Sequence, residues 1–131
     1  MASAQRKTLL RVVWSLAILT VIVALLLPAR SLPMRMLDQL EVSDKIEHFA
    51  AYAMLAFLPA IHERLQVVLV AALCIAALGI GLEFGQLYSP GRTFEIADMI
   101  ADGLGICFGL AVGLPLRTSN VVRSLLCTPG K

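Results

Sequence analysis

Four long apolar stretches, joined by short polar connections, dominate this 131-residue sequence. About 20 apolar residues suffice for an α-helix to cross the ~30 Å hydrocarbon core of a bilayer, where every backbone polar group must be paired internally. Hydrophobic residues make up 59% of the chain and charged residues only 15%, which is far from the balance of a soluble domain. We therefore expect an all-α, polytopic membrane protein in which a bundle of four transmembrane helices forms a single membrane domain over residues 1–131.

The apolar runs predict helices over residues 9–27, 46–61, 65–88 and 96–116. The first run resembles a secretory signal, but its long apolar core and the lack of a small-residue cleavage site favour an uncleaved span. The second run begins at a capping signal, since Asp44 can cap the helix and Glu47 follows three residues later. Its length of roughly 24 Å is short for a span. We expect Pro115 to end the fourth helix.

The distribution of lysine and arginine predicts the orientation, because the cytoplasmic flanks of membrane helices are enriched in these residues. Alternating helix directions place seven of them at one face: Arg6, Lys7, Arg11, Arg64, Arg117, Arg123 and Lys131. Four lie at the other face: Arg30, Arg35, Lys45 and Arg92. We expect both termini to be cytoplasmic. The net charge of +2, without a basic stripe, disfavours a nucleic-acid partner.

Glycines recur at helical spacing in the last two apolar runs. Gly105, Gly109 and Gly113 fall on every fourth residue of the fourth helix, and Gly81 and Gly85 repeat this spacing in the third. Small residues at this spacing let helix backbones approach each other closely in lipid. Both sets are therefore predicted to mark contacts between helices.

Polar residues within the apolar runs lie at one predicted depth, near the outer ends of three helices. A carboxylate at the centre of a span costs ~2.5 to 3.5 kcal/mol, so such residues usually face a bundle interior or mark a functional site. They are paired three or four residues apart, on one face of each helix: Asp44 with His48, Glu83 with Gln86, and Asp98 with Asp102. We expect the three faces to converge on a polar pocket that opens outward. Arg92, on the loop above, would be its lid or counter-charge, and an ion pair between Glu83 and Arg92 is the structural alternative.

Two further aromatic residues are predicted to be interfacial. Tyr52 and Tyr88 lie near the ends of apolar runs, where tyrosine is enriched at membrane surfaces. The cytoplasmic half of the predicted bundle offers no comparable set of polar residues, which disfavours an ion pathway.

The segments SDKIEHFAAYAMLAFL and GLEFGQLYSPGRTFEIADMIADGLG resemble the VanZ-like family of small bacterial membrane proteins, named for a protein associated with teicoplanin resistance. The resemblance covers residues 44–116. Its pattern is Asp-Lys-x-x-His opening one helix, Glu-x-x-Gln closing the next, then Gly-Arg and Asp-x-x-x-Asn-x-x-Gly opening the last. The matching residues are Asp44, Lys45, His48, Glu83, Gln86, Gly91, Arg92, Asp98, Asp102 and Gly105. The resemblance implies a multi-pass protein of the bacterial cytoplasmic (inner) membrane and cell envelope, related to a glycopeptide-resistance protein, and it implies no biochemical activity.

Asp102 departs from this pattern, which usually has asparagine at that position. An ionised aspartate only accepts hydrogen bonds, whereas asparagine both donates and accepts. We expect Asp102 either to carry a proton or to be balanced by a cation or by Arg92.

The leading functional interpretation is a site that binds or processes an envelope lipid or lipid-linked precursor. Lys45 and Arg92 would meet an anionic headgroup, and the remaining polar residues would orient it or transfer protons. The predicted ligand-binding residues are Asp44, Lys45, Gln86, Arg92 and Asp102, and the predicted catalytic residues are His48, Glu83 and Asp98.

Two other interpretations fit the same residues. In a metal-assisted membrane enzyme, a divalent ion that activates water would be held by His48, Glu83, Asp98 and Asp102. In a structural or partner-binding membrane protein, the cluster would be a buried polar network that fixes the register of the helices, without catalysis.

Overall fold

A computed structural model describes residues 2–28 and 43–118 of the chain, and all regular structure within these ranges is helical. The described part contains four helices: α1 (Ala2–Leu26), α2 (Asp44–His62), α3 (Leu65–Gln86) and α4 (Ile96–Thr118). The predicted all-α class is therefore confirmed, and the described residues contain four helices, as predicted. Four basic residues used in the orientation prediction lie outside the described residues: Arg30, Arg35, Arg123 and Lys131.

The helices begin and end close to the predicted residues, with differences that have local causes. α1 begins at Ala2 rather than at residue 9, because the polar residues before the apolar core are compatible with a helix. α3 ends at Gln86, two residues before the predicted end. α4 continues through Pro115 to Thr118, so the prediction that Pro115 ends it is wrong. Pro115 lies in the last turn of α4, where its missing N–H group removes one hydrogen bond to the preceding turn without ending the helix.

The predicted cap of α2 is also wrong. Ser43 is the N-cap residue and makes no side-chain capping hydrogen bond, while Asp44 is the first residue of the helix. The Ser43 carbonyl oxygen accepts the N–H groups of Ile46 and Glu47 at 2.8 and 3.2 Å. The Asp44 carboxylate is therefore left for contacts outside α2.

Three helices are long and apolar enough to cross a membrane: Gln5–Leu26 in α1, Leu65–Gln86 in α3 and Ile96–Arg117 in α4. The protein is thus a multi-pass membrane protein with three candidate spans in the described residues. α2 is not among them, because its first turns carry Asp44, Lys45, Glu47 and His48. Its 19 residues nevertheless extend over roughly 28 Å.

Contacts along the bundle show how the helices are directed. The first half of α1 lies beside the second half of α2, since Trp14 Nε1 donates to the Leu55 carbonyl oxygen at 2.8 Å. Near the other end of α2, His48 lies 2.9 Å from Asp102 in the second turn of α4. At the other end of the pair formed by α2 and α4, Gly113 of α4 approaches Ala60 of α2, so α2 and α4 run in the same direction. The start of α1 contacts Glu63 after the end of α2, through Arg11, and its end contacts Ser89 before α4, so α1 runs opposite to both.

The glycine face of α4 packs directly against the backbone of α2. A Cβ atom added at Gly105 would overlap the Phe49 carbonyl oxygen, and one added at Gly109 would overlap that of Ala53. At Gly113 an added Cβ atom would lie 2.6 Å from a side-chain carbon of α2. The predicted role of these glycines as a helix contact is confirmed, and α2 is the partner.

The glycines of α3 behave differently from the prediction. Gly85 is close to α1, since an added Cβ atom would lie 3.0 Å from Leu26 Cδ2. Gly81 has nothing within 4 Å of the position of a Cβ atom, so the predicted contact is wrong there. The close approach of α3 to the other helices occurs instead at Gly79, where an added Cβ atom would lie 2.7 Å from Asp102 Oδ2.

The packing of α2 on α4 can be tested with Gly109→Ala, for which Gly81→Ala is the matched control. We expect Gly109→Ala to lower the free energy of unfolding by about 1–3 kcal/mol, because the new methyl group forces the two backbones apart. Gly81→Ala should leave stability unchanged or raise it by up to about 1 kcal/mol through helix propensity. Unfolding titrations in mixed micelles measure both. Equal stability of the two variants would contradict the packing.

Candidate functional site

Polar side chains of α2, α3 and α4 come together inside one end of the bundle. His48, Glu83, Gln86, Asp98 and Asp102 are each 4% exposed or less. Tyr52, which is fully buried, joins them. We call these six residues the buried polar cluster. The three pairs of polar residues predicted to converge therefore do so, except that Asp44 remains at the surface.

α2 and α4 are linked within the cluster by a histidine and a carboxylate. His48 Nδ1 lies 2.9 Å from Asp102 Oδ1, and both side chains are buried. A carboxylate oxygen at this distance can accept a hydrogen bond from Nδ1–H, so the contact fixes the orientation of the imidazole ring and turns Nε2 away from Asp102. Asp102, the residue that departs from the family pattern, is thus the group that orients His48.

α3 and α4 are linked by a carboxylate at a helix start. Glu83 Oε1 accepts the backbone N–H of Glu95 at 2.6 Å, directly before the first residue of α4. The first N–H groups of a helix lack partners within the helix, and negative charge is favourable beside them. This contact accounts structurally for the burial of Glu83, and it differs from the ion pair with Arg92 considered from the sequence.

Charged residues form a rim over the cluster. Lys45 Nζ lies 2.7 Å from Glu95 Oε2 and 3.4 Å from Asp98 Oδ1, and its side chain is 47% exposed. The Lys45 ammonium, bonded to Glu95, holds the pKa of that carboxyl below its usual value. Arg92 Nη1 lies 3.5 Å from Asp44 Oδ1. We call Asp44, Lys45, Arg92 and Glu95 the charged rim.

The loop between α3 and α4 holds Arg92 in place. Gly91 has a φ of 81°, in the left-handed region that favours glycine, and the chain turns there so that the Arg92 N–H donates to the Ser89 carbonyl oxygen at 3.1 Å. Ser89 Oγ donates to the Leu26 carbonyl oxygen at 3.0 Å, and Arg92 Nε donates to that of Leu27 at 3.5 Å. The loop is thereby tied to the end of α1.

Four buried polar atoms of the cluster have no hydrogen-bond partner among the described residues: His48 Nε2, Tyr52 Oη, Gln86 Nε2 and Asp98 Oδ1. Buried polar atoms are nearly always paired, with protein, water, an ion or a ligand. Donors and acceptors concentrated in this way can bind a polar group. Three residues, Asp44, His48 and Asp98, also offer metal-ligand atoms within 4.8 Å of one another.

A groove of about 150 Å³ runs between α3 and α4 and reaches the cluster at Asp102. Its other lining residues are apolar or glycine: Ala76, Ile80, Met99, Gly103 and Ile106. Ile80 is 47% exposed, so the groove opens on the outer surface of two candidate spans.

Tyr52 is the one member of the buried polar cluster that was not predicted from the sequence to belong to it. Tyr52 is 0% exposed, so the prediction that it is an interfacial aromatic is wrong, whereas Tyr88 is 90% exposed. A signal for Tyr52 was available, because Asp44, His48 and Tyr52 follow one another at intervals of four residues on one face of α2.

A second polar group at the opposite end of the bundle was also missed. Arg11 Nε donates to Glu63 Oε1 at 2.6 Å, and Arg117 Nη1 donates to the Glu63 carbonyl oxygen at 2.9 Å. His62 Nε2 lies 3.7 Å from Glu63 Oε1. The expectation that this half lacks polar partners is therefore wrong. The hydrogen bond from Arg11 holds the pKa of the Glu63 carboxyl below its usual value.

These features define a class: a small, all-α, multi-pass membrane protein with a buried polar cluster at one end of its helices and an ion pair at the other. The chain belongs to the VanZ/LLP1 family, whose sequence model matches residues 9–117. The match extends the predicted resemblance, which begins at residue 44, to include α1. No curated protein and no solved structure matches the chain.

The contact between His48 and Asp102 predicts different outcomes for two substitutions. Asp102→Asn should change the free energy of unfolding little, because the amide oxygen can accept from His48 Nδ1 as the carboxylate does. Asp102→Leu should lower it by about 1–3 kcal/mol, because a buried donor loses its partner. Denaturant titrations of the two proteins make the comparison. If Asp102→Asn is as damaging as Asp102→Leu, the charge of Asp102 matters and not its hydrogen bond.

The contact between Arg11 and Glu63 predicts a pH dependence. The folded-state pKa of Glu63 is depressed, so its contribution to stability is present above the usual value of 4.5 and is lost as the pH falls through the lower, folded-state value. A double-mutant cycle with Arg11→Gln and Glu63→Gln should therefore show a coupling at pH 7 that declines as the pH is lowered below 4.5. A coupling that stays constant over this range would contradict the assignment.

Proposed function

We propose that this protein binds, and presents for processing, the anionic headgroup of an envelope lipid or lipid-linked precursor at the outer side of the bacterial cytoplasmic membrane. One observation carries the proposal. Two cations of the charged rim, Lys45 and Arg92, stand beside a cluster in which His48 Nε2, Tyr52 Oη and Gln86 Nε2 are buried without a hydrogen-bond partner among the described residues, and in which Asp98 Oδ1 meets only the Lys45 ammonium, at 3.4 Å.

The proposal places α2 across the membrane as a fourth span. α2 runs alongside α4, a candidate span, from the contact of His48 with Asp102 to the contact at Gly113. The two helices therefore cover nearly the same depth. Polar residues lower the hydropathy of α2, but His48 and Tyr52 face other helices rather than lipid. In lipid, such residues are tolerated where they face a bundle interior.

The depth of the cluster supports a headgroup as the ligand. Its members lie within about two turns of the ends of α2, α3 and α4, or roughly 10 Å. The positive-inside rule favours the outer leaflet for this end, with both termini cytoplasmic. A lysine and an arginine at this level suit phosphate or carboxylate groups, because charge-assisted hydrogen bonds to such anions are strong.

The groove between α3 and α4 supports a lipid rather than a free anion. It is apolar apart from Asp102, it opens on the surface of two candidate spans, and it leads to the cluster. An acyl or prenyl chain lying in this groove would bring its headgroup below the charged rim.

Processing, as distinct from binding, would depend on His48. Its Nδ1 is held by Asp102, and its Nε2 is buried without a protein partner, so the ring is oriented to exchange a proton with a bound group. Asp98 and Glu83 lie on the facing helices, and Glu83 is already engaged by the Glu95 N–H. His48 and Asp98 are therefore the residues best placed for chemistry.

The proposal can be tested by native mass spectrometry of the detergent-solubilised full chain with added phosphatidylglycerol or phosphatidylcholine. We expect selective binding of phosphatidylglycerol, and a roughly tenfold loss in Arg92→Ala and Lys45→Gln, as for one charge-assisted contact of about 1.5 kcal/mol. Arg64→Ala is the matched control, because Arg64 is an exposed arginine at the opposite end of the bundle.

Folding is followed by the unfolding midpoint of each variant. Equal affinity for the two lipids, or equal effects of Arg92→Ala and Arg64→Ala, would contradict the proposal. Loss of folding in Glu83→Gln and Asp98→Asn, together with unselective lipid binding, would instead support a buried network that only fixes helix register.

A further inference from the structure

Three residues at the mouth of the cluster are arranged as metal ligands. Asp44 and His48 lie one turn apart on α2, and Asp98 lies in the first turn of α4. One ligand atom from each lies within 4.8 Å of the other two. A Zn²⁺ ion lies about 2.0–2.2 Å from nitrogen and oxygen ligands, so two ligands of one ion are at most about 4.4 Å apart. The three side chains are thus within a small movement of a shared ion.

The surroundings of His48 favour a metal at this place. A metal-binding histidine almost always donates its other ring N–H to a carboxylate or carbonyl, which fixes the ring and its tautomer. His48 Nδ1 has such a partner in Asp102 Oδ1, at 2.9 Å. Both His48 Nε2 and Asp98 Oδ1 are buried and have no hydrogen-bond partner among the described residues.

The charge at this end of the bundle also favours a cation. The buried polar cluster and the charged rim contain five carboxylates and two cations: Asp44, Glu83, Glu95, Asp98 and Asp102 against Lys45 and Arg92. The charge of Lys45 is offset by Glu95, 2.7 Å away. The rival occupant of the position is Lys45 itself, whose Nζ lies 3.4 Å from Asp98 Oδ1.

We infer that Asp44, His48 and Asp98 bind a divalent transition-metal ion, with Asp102 as the residue that positions His48. A mixed set of one imidazole and two carboxylates suits Zn²⁺ or Mn²⁺. This set differs from the one considered from the sequence, because Glu83 is engaged by the Glu95 N–H and Asp102 by His48. Three protein ligands leave an open position, where the ion would supply positive charge to an anionic headgroup. This last role rests on the proposed function. With the ion bound, His48 Nε2 would coordinate it and would not exchange a proton with the headgroup.

The test uses the detergent-solubilised full chain, stripped with EDTA and dialysed against Zn²⁺ or Mn²⁺, with metal per chain measured by elemental analysis. We expect one ion per chain. Asp44→Asn and Asp98→Asn should lower the affinity more than about tenfold, and Asp102→Asn by about 10–100-fold, as for other positioning carboxylates. Glu63→Gln is the control, because it removes a carboxylate at the opposite end of the bundle. Asp44 is exposed, so Asp44→Asn keeps the test valid even where Asp98→Asn fails to fold.

Lys45→Gln distinguishes this inference from the proposed function. Removal of the competing ammonium should strengthen Zn²⁺ binding while it weakens the binding of phosphatidylglycerol. No stoichiometric binding of either ion, or unchanged affinity in Asp44→Asn and Asp98→Asn, overturns the metal site. Selective lipid binding that EDTA does not alter leaves the proposed function standing without the metal. A bound ion without selective lipid binding supports the metal site and contradicts the proposed function.

Discussion

Direct contact between the backbones of α2 and α4 determines which polar side chains can meet in this protein. Gly105 and Gly109 lie against the carbonyl oxygens of α2, where any larger residue would overlap them. Two helices at this distance have little freedom to slide past each other, so their register is fixed. That register brings His48 beside Asp102, one turn before the first glycine contact. The cluster therefore depends on residues that carry no polar side chain.

Features that depend on spacing along one helix could be predicted from the sequence. Each predicted helix overlaps an observed one, and the glycine face of α4 was recognised, because both follow from the helical period. The meeting of the polar residues at one end of the bundle could be predicted in the same way. Hydropathy alone leaves α2 out of the candidate spans, since it scores the polarity of His48 and Asp44 but not where the side chains point.

Features that depend on the rotation of one helix against another could not be predicted. The spacing predicted a helix contact at both Gly81 and Gly85, yet of these two only Gly85 faces another helix. The closest approach of α3 to the other helices occurs at Gly79. The pairing of Arg11 with Glu63 joins residues far apart in the chain, and nothing local to either residue indicates it. The same holds for the Glu83 carboxylate, whose partner is a backbone N–H group that has no signature in the sequence.

The loop after α3 is attached to the last turn of α1 through carbonyl oxygens, those of Leu26 and Leu27. Every amino acid supplies such an oxygen, so the side chains in that turn can drift during evolution without loss of the attachment. Ser89 and Arg92, which donate to these oxygens, have no such freedom. The end of α1 thus supports the loop whatever its side chains are, and divergence among related chains should accumulate there before it reaches Ser89 and Arg92.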